Sequence, residues 1–469
     1  LKYYINRYHS WEFSQEEDDT AFCPATVKAD IEKGYQCHPS ISHHWGQYSP
    51  YFTIPSAISA SVPRTCRITF AQVLARHGAR EPTHGKTVAY EEFIRHIQRS
   101  VAVYPGKYAF LSTYRYQLGA DRLTLFGLQQ LFNMGRKVYQ RYQSLAKDTI
   151  PYVRASGQDR VVASAHWWMK GYEVARNADP THTGPDYIDG YPATRIDEGA
   201  TFNNTLSHSL CTSFESGPYS HVGTDAQAGF AASFTAPIRE RINADLPGAN
   251  LTAAHVIYLM DLCPFETVFA RPHPRHALPL SPFCHLFTHA EWRDYDYFQS
   301  LGKFYGFAQG NPMGPTQGVG FANELVARLT QTPVVDYTST NRTLVADPEM
   351  FPLNATIYAD FSHDNDMMMI FAALRLFETT APPSKEKIMT PEQMNGYSAA
   401  WAVPFAARLY VEKMACEGEE EELVRVLLND RVVPLQGCGA DALGRCRLGA
   451  YVESLEFARG GGEWDKCFL

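Results

Sequence analysis

Apolar residues along this chain fall into two kinds of pattern. Residues 68–74 are aromatic, β-branched or aliphatic with few polar interruptions, the texture of a strand buried on both faces. Residues 151–154, the run that opens at Thr356, residues 405–411 and residues 423–433 read the same way. Elsewhere apolar positions recur every three or four residues, the period of a helix with one buried face. Leu128, Leu131, Phe132, Val138, Tyr139 and Tyr142 predict a helix over 126–145, and Ala165, Trp168, Met169 and Tyr172 predict one over 161–176. Ile370, Ala373, Leu374 and Phe377 place another after the strand at 356, and shorter helices are expected over 91–103, 236–246, 292–305 and 323–329. Strands that feed helices predict an α/β fold. Between about 177 and 318 the texture shifts to loops rich in Pro, Gly and Asn with short amphipathic helices. The expected organisation is therefore an N-terminal extension (1–22), a large α/β domain (23–178 plus 318–469) and an inserted smaller all-helical domain (179–317). Residues 23–65, with two cysteines and little periodicity, read as a loop-rich wrap.

Three of the predicted strand-to-helix junctions carry chemistry. The first is Arg76-His77-Gly78-Ala79-Arg80-Glu81-Pro82, where a strand ends in a tight turn and presents two guanidiniums and an imidazole. Arginine forks match phosphate oxygens, and a neutral imidazole is a competent nucleophile. The second is Arg154-Ala155-Ser156-Gly157, at the end of a short strand and before a helix, where Arg154 supplies a third guanidinium. The third is His363-Asp364, again between a strand and a helix. A helix cap accounts for one carboxylate there but leaves the adjacent histidine unexplained. Such junctions are where open α/β sheets place ligand-binding groups, and helix N-termini favour anions.

Charge and cysteine usage narrow the setting. The formal charge is −8 and the isoelectric point is near 6.1, with no basic tract, so a nucleic-acid partner is excluded. That charge repels an anionic substrate at neutral pH and fades in acid, so phosphate chemistry on this chain should favour acid. No apolar run is long enough to span a membrane. The first residues lack a hydrophobic targeting core, which leaves a cytosolic protein or one whose signal peptide is gone. Ten cysteines without a Cys-x-x-Cys pair (Cys23, Cys37, Cys66, Cys211, Cys263, Cys284, Cys416, Cys438, Cys446, Cys467) favour the second, as do glycosylation sequons at Asn203, Asn250, Asn341 and Asn354. The expectation is a secreted, disulfide-bonded glycoprotein.

Breaking a phosphomonoester needs neutralised non-bridging oxygens, an in-line nucleophile and a proton for the leaving oxygen. Arginines and a histidine meet the first need. His77 meets the second by forming phosphohistidine, and Asp364 meets the third if a mildly raised pKa or an acidic medium keeps it protonated. Nothing in this set resembles a metal cage, so no metal or other cofactor is expected.

With these motifs in place, the chain resembles the histidine acid phosphatases, in particular the secreted fungal phytases, from about Cys23 to Cys467. The resemblance implies a large α/β sandwich domain of histidine phosphatase type with a helical insertion and the site between them. It implies His77 as nucleophile, Asp364 as proton donor, and Arg76, Arg80, Arg154 and His363 as phosphate ligands. It also implies the pairings Cys23–Cys37, Cys66–Cys416, Cys211–Cys467, Cys263–Cys284 and Cys438–Cys446. The expected partner is a small phosphomonoester, phytate (myo-inositol hexakisphosphate) foremost, and the expected state is a monomer.

Departures from the family pattern concern substrate. Lys86 and Lys303 stand where phytate-selective members carry lysines, but Val88, Ala89 and Gly302 occupy neighbouring positions that are often basic. Glu81 replaces a tyrosine, and a carboxylate beside a phosphate pocket would disfavour a polyanion by about 1 kcal/mol or more at ~5 Å. A broad acid phosphatase with weak phytate preference is the near alternative. A phosphotransfer mutase and a non-catalytic binding protein are more distant ones.

Overall fold

The computed structural model describes residues 33–184, 193–270, 278 and 280–469. Its sheet comprises β1 (Cys66–Arg76), β2 (Tyr152–Ser156), β3 (Thr194–Ile196), β4 (Ile357–Ser362), β5 (Arg408–Cys416), β6 (Leu423–Leu428), β7 (Arg431–Val433) and β8 (Arg445–Arg447). The order is β3-β2-β4-β1-β5-β6-β7, with β8 on β6. β3, β2, β4 and β1 are mutually parallel, while β5 to β8 pair antiparallel. The register Arg76↔Ser362 brings the ends of β1 and β4 level, so the residues that follow each strand emerge side by side.

Both faces of the sheet are covered, which explains the nearly continuous apolar runs. On one face Val73, Val153, Ala155 and Phe361 pack with α2 (Leu125–Arg141) and α3 (Asp159–Asn177) through Leu131, Trp168 and Tyr172. α1 (His84–Ser100) precedes α2 in the chain. On the other face lie α7 (Val319–Thr330) and α8 (Asp364–Ala373), whose Phe321, Leu325 and Ile370 join a core with Leu74, Tyr358 and Leu409. That core runs on into the helical part, α4 (Val222–Asp245), α5 (Ala253–Phe269) and α6 (His289–Phe307), through Phe230, Phe265 and Trp292. α1 also contributes there, with Tyr90 and Phe93 against Tyr258.

The differences from the periodicity reading have local causes. The segment 423–433 is a hairpin rather than one strand, because Asn429 and Asp430 adopt φ 48° and 67°, the two left-handed residues of a tight turn. The helix expected over 126–145 ends at Arg141 and is followed by a separate turn at Gln143–Ala146. α1 begins at His84, seven residues before its first expected position. The boundary at 178/179 does not follow the sheet: β3 lies inside the segment expected to be all-helical, yet pairs with β2.

Four disulfides are present among the described residues, Cys66–Cys416, Cys211–Cys467, Cys263–Cys284 and Cys438–Cys446, and such bonds persist in an oxidising compartment. The protein is a secreted one. Residues 1–22 and Cys23, and with it the fifth pairing, lie outside the described residues. Among the sequons, Asn203, Asn250 and Asn354 are exposed, but the Asn203 amide is engaged, donating to the carbonyls of Thr338 and Thr340. Asn341 caps the short helix Arg342–Ala346 through its Oδ1. No helix among the described residues is long and apolar enough to cross a membrane.

Candidate active site

The four parallel strands end at the same edge, and each delivers polar side chains at or shortly after its last residue. β1 gives Arg76 and His77, β4 gives His363 and Asp364, β2 leads into Arg160 on the first turn of α3, and β3 leads to Glu198. The turn after β1 is held by direct backbone contact with α2. A Cβ on Gly78 would sit 2.3 Å from the Gly127 carbonyl oxygen, and one on Gly127 would sit 2.0 Å from that of Ala79. Only glycines let the turn seat this deeply. Ala79 N–H donates to Gln130 Oε1 at 2.9 Å and Gly78 N–H to Ser164 Oγ at 3.2 Å, which fixes the turn further.

His77 is buried, and its Nδ1 lies 2.9 Å from its neighbour's carbonyl, Gly78 O. A carbonyl only accepts, so Nδ1 carries the proton and Nε2 keeps its lone pair. Burial, then the guanidiniums of Arg76, Arg160 and Arg80 and the ring of His363, hold the His77 imidazole well below its ordinary proton affinity. It therefore stays neutral into acid. The His363 ring lies edge-on to it, with centroids 5.6 Å apart.

Arg76 is fully buried and donates to the carbonyls of Gln47 and Val403, the latter at 2.7 Å. Its guanidinium lies over Phe405 and meets Asp364 Oδ2 at 3.2 Å. Burial lowers its pKa to about 10, partly opposed by Asp364, so it remains charged. Arg80 donates from Nη1 to the Glu81 carbonyl at 2.8 Å. Arg160 reaches Asp121 Oδ1 at 3.4 Å. The Nε atoms of Arg76, Arg80 and Arg160 are buried and donate no hydrogen bond within the protein. A buried donor left unpaired costs roughly 1–3 kcal/mol, so donors of one sign clustered this way mark an anion site.

Asp364 opens α8, and its Oδ2 accepts from Lys303 Nζ of α6 at 2.7 Å; Lys303 also donates to Asn365. Burial raises the Asp364 pKa, but Arg76 and Lys303 outweigh it and hold the carboxyl well below the usual range. Of the two conditions that the sequence reading set for a protonated Asp364, a mildly raised pKa or an acidic medium, the first is not met. His363 Nε2 lies 2.9 Å from Glu198 Oε1.

Three further expectations resolve differently. Arg154, expected among the phosphate ligands, is not brought to the cluster. It is an interior strand residue, so its side chain leaves through the face of the sheet rather than its end. There it is fully buried between Asp360 (Nε–Oδ1 2.8 Å) and Glu324 (Nη2–Oε2 2.7 Å), and Arg328 also pairs with Asp360 at 2.6 Å. Arg160, six residues on, takes the place at the strand end. Lys86, expected to meet substrate, is engaged by Asp261 at 2.7 Å and Tyr48 Oη at 2.9 Å. Glu81 turns its carboxylate toward Gly119, where a Cβ would come within 2.6 Å of both its oxygens.

A buried, neutral histidine ringed by guanidiniums, with a carboxyl from the next strand end, defines a phosphoryl-transfer centre built on a strand-end crevice. The histidine phosphatase superfamily (branch 2) matches residues 67–429, and the chain belongs to it. The chain is 52% identical over 442 residues to "Phytase A" of Aspergillus fumigatus, with 93% of each chain covered, and 52% identical over 444 residues to "Phytase A" of Aspergillus oryzae, with the same coverage. Among solved structures it shares the fold of the phytase from D. castellii, at TM-score 0.71 and 22% identity, covering 89% of this chain and 85% of that one.

Proposed function

We propose that this protein is a secreted acid phosphomonoesterase of phytase type, which removes phosphate stepwise from myo-inositol hexakisphosphate through a phosphohistidine on His77. The observation that carries this reading is a histidine held neutral beside three guanidiniums, each with a buried Nε–H that has no partner within the protein. The 52% identity to phytases A from two Aspergillus species supports the substrate.

Arg76, Arg80, Arg160 and His363 bind the phosphate oxygens and neutralise charge that spreads over them in the transition state. His77 Nε2 attacks phosphorus in line, the P–O bond to the inositol breaks, and Asp364 protonates the departing oxygen. Water then attacks the phosphohistidine, with the Asp364 carboxylate taking its proton, and phosphate leaves with His77 restored. Asp364 needs its proton only once substrate is bound. A phosphate that engages Arg76 draws off one cation that held Asp364 ionised and adds a negative charge beside it. Both changes raise its proton affinity, and acid medium completes the protonation.

The second reading, a broad acid phosphatase with weak phytate preference, is favoured by the engagement of Lys86 by Asp261, which leaves less free positive charge for a polyanion. Turnover of phytate and p-nitrophenyl phosphate from about pH 2.5 to 7 separates the two. The phytase reading predicts a higher kcat/KM for phytate in acid. Slower consumption of phytate than of the simple ester at every pH would sink it.

Because the guanidiniums of Arg76, Arg80 and Arg160 supply the positive charge that a phosphate needs, a chelator should leave activity unchanged. Inhibition reversed by adding metal back would contradict this assignment. The same reading takes a monomer as the working state and the exposed Asn250 and Asn354 as the first glycan carriers.

A further inference from the structure

Glu198 stands in the loop after the short edge strand β3, on no element that phosphate chemistry alone would single out. One of its oxygens, Oε1, collects three donors from two other strand ends: His363 Nε2 at 2.9 Å, Ser156 Oγ at 2.6 Å and Gln158 N–H at 3.2 Å. Ser156 is itself fixed by Asn204 Nδ2 at 3.1 Å. The carboxylate thus ties the ends of β3, β2 and β4 together at the point where β4 releases its His-Asp pair.

We infer that Glu198 is a positioning residue of the phosphatase reaction, acting through His363: it orients the ring and fixes Nε2 as the nitrogen turned away from the substrate. An imidazole with one edge committed to a carboxylate has only Nδ1 left for a phosphate oxygen. A carboxylate only accepts, so Nε2–H donates to Glu198, and an imidazolium has one further N–H, on Nδ1, to give to a phosphate oxygen. This is the division of labour by which a carboxylate orients a catalytic histidine elsewhere. The inference rests on the phosphatase reading above.

Glu198 is suited to acid. Burial alone would raise its pKa, but the bonds from His363, Ser156 and Gln158 outweigh it and bring the value down to about 2. The titratable groups around it are His363 from the end of β4, Arg160 from α3, and Asp366 and His208 from α8 and the loop beside it. Its partner bond therefore survives across the acid range in which the proposed reaction runs.

The test is a double-mutant cycle of Glu198→Gln and His363→Asn, read by kcat, KM and inhibition by inorganic phosphate, with thermal unfolding followed in parallel. Glutamine keeps the shape and an acceptor oxygen but not the charge. Alone, it should weaken phosphate inhibition and lower kcat/KM by roughly 10- to 100-fold, the range of a charged hydrogen bond. In the His363→Asn background it should add less than about threefold. Ser156→Ala, which removes one donor to Glu198 and leaves both Glu198 and His363 in place, should give a smaller loss of the same non-additive kind. Wild-type kinetics in Glu198→Gln, or a loss that multiplies fully with that of His363→Asn, would overturn the inference while leaving the phosphatase reading standing. Wild-type kinetics in His363→Asn itself would overturn the phosphate-binding role of that histidine, and the inference with it.

Discussion

Replacing His77 by alanine should lower kcat for any phosphomonoester by roughly 10⁴- to 10⁶-fold, the scale seen when a nucleophile is removed from a working constellation. Its side chain makes one hydrogen bond, to its neighbour's carbonyl, and the backbone bonds to Ser362 and Ala406 survive the substitution, so the fold should tolerate the change. Every other group in the site prepares for its attack. Arginines lower its proton affinity, burial removes water from it, and the Gly78 carbonyl settles which nitrogen is nucleophilic. None of them supplies a substitute lone pair at that point. Initial rates on phytate and p-nitrophenyl phosphate check the prediction, and a residual rate within about tenfold of the parent would remove His77 from the nucleophile's role.

The second large effect separates two arginines six residues apart. Arg160→Met should cost roughly 10²- to 10³-fold in kcat/KM, as does removal of one preorganised donor to a developing anion, with little change in stability. Arg154→Met should do the reverse. It leaves Glu324 and one oxygen of Asp360 without their cationic partner in a buried layer between sheet and α7, and breaking such a buried pair costs about 3–5 kcal/mol. Activity per folded molecule should stay within severalfold. Denaturant unfolding and steady-state kinetics on both variants decide the matter, and an exchange of the two phenotypes would return Arg154 to the site.

That pair also shows what was legible in the sequence. β1, β2 and β4 announced themselves by apolar runs, and the His and Asp residues beyond their ends by adjacency. Arg154 was misplaced because one-dimensional position cannot say which way a side chain leaves a strand. An arginine inside a fully buried five-residue strand points into a layer, whereas the next turn of chain faces the crevice. The signal was present: Arg160 follows the Ser-Gly turn directly, within the first turn of a helix, where an anion-binding group belongs. Glu198 was harder to find. Its strand is three residues long and carries no apolar run, so nothing local marks the loop after it as part of the sheet edge. The engagement of Lys86 by Asp261 joins α1 to α5, a contact across 175 residues that composition cannot register. The proton affinity of Asp364 was likewise out of reach, because Lys303 arrives from a helix 61 residues away.

The central claim is that catalysis passes through a covalent phosphohistidine at His77. The direct measurement is rapid mixing of enzyme with a phosphorus-labelled phosphomonoester, quenching in alkali, where a nitrogen–phosphorus bond survives, and mapping of the labelled peptide by mass spectrometry. Label that appears within one turnover, decays as phosphate is released, sits on His77 and is absent from His77→Ala is the predicted result. Full turnover with no label on the protein, or label on a residue other than His77, would contradict the account.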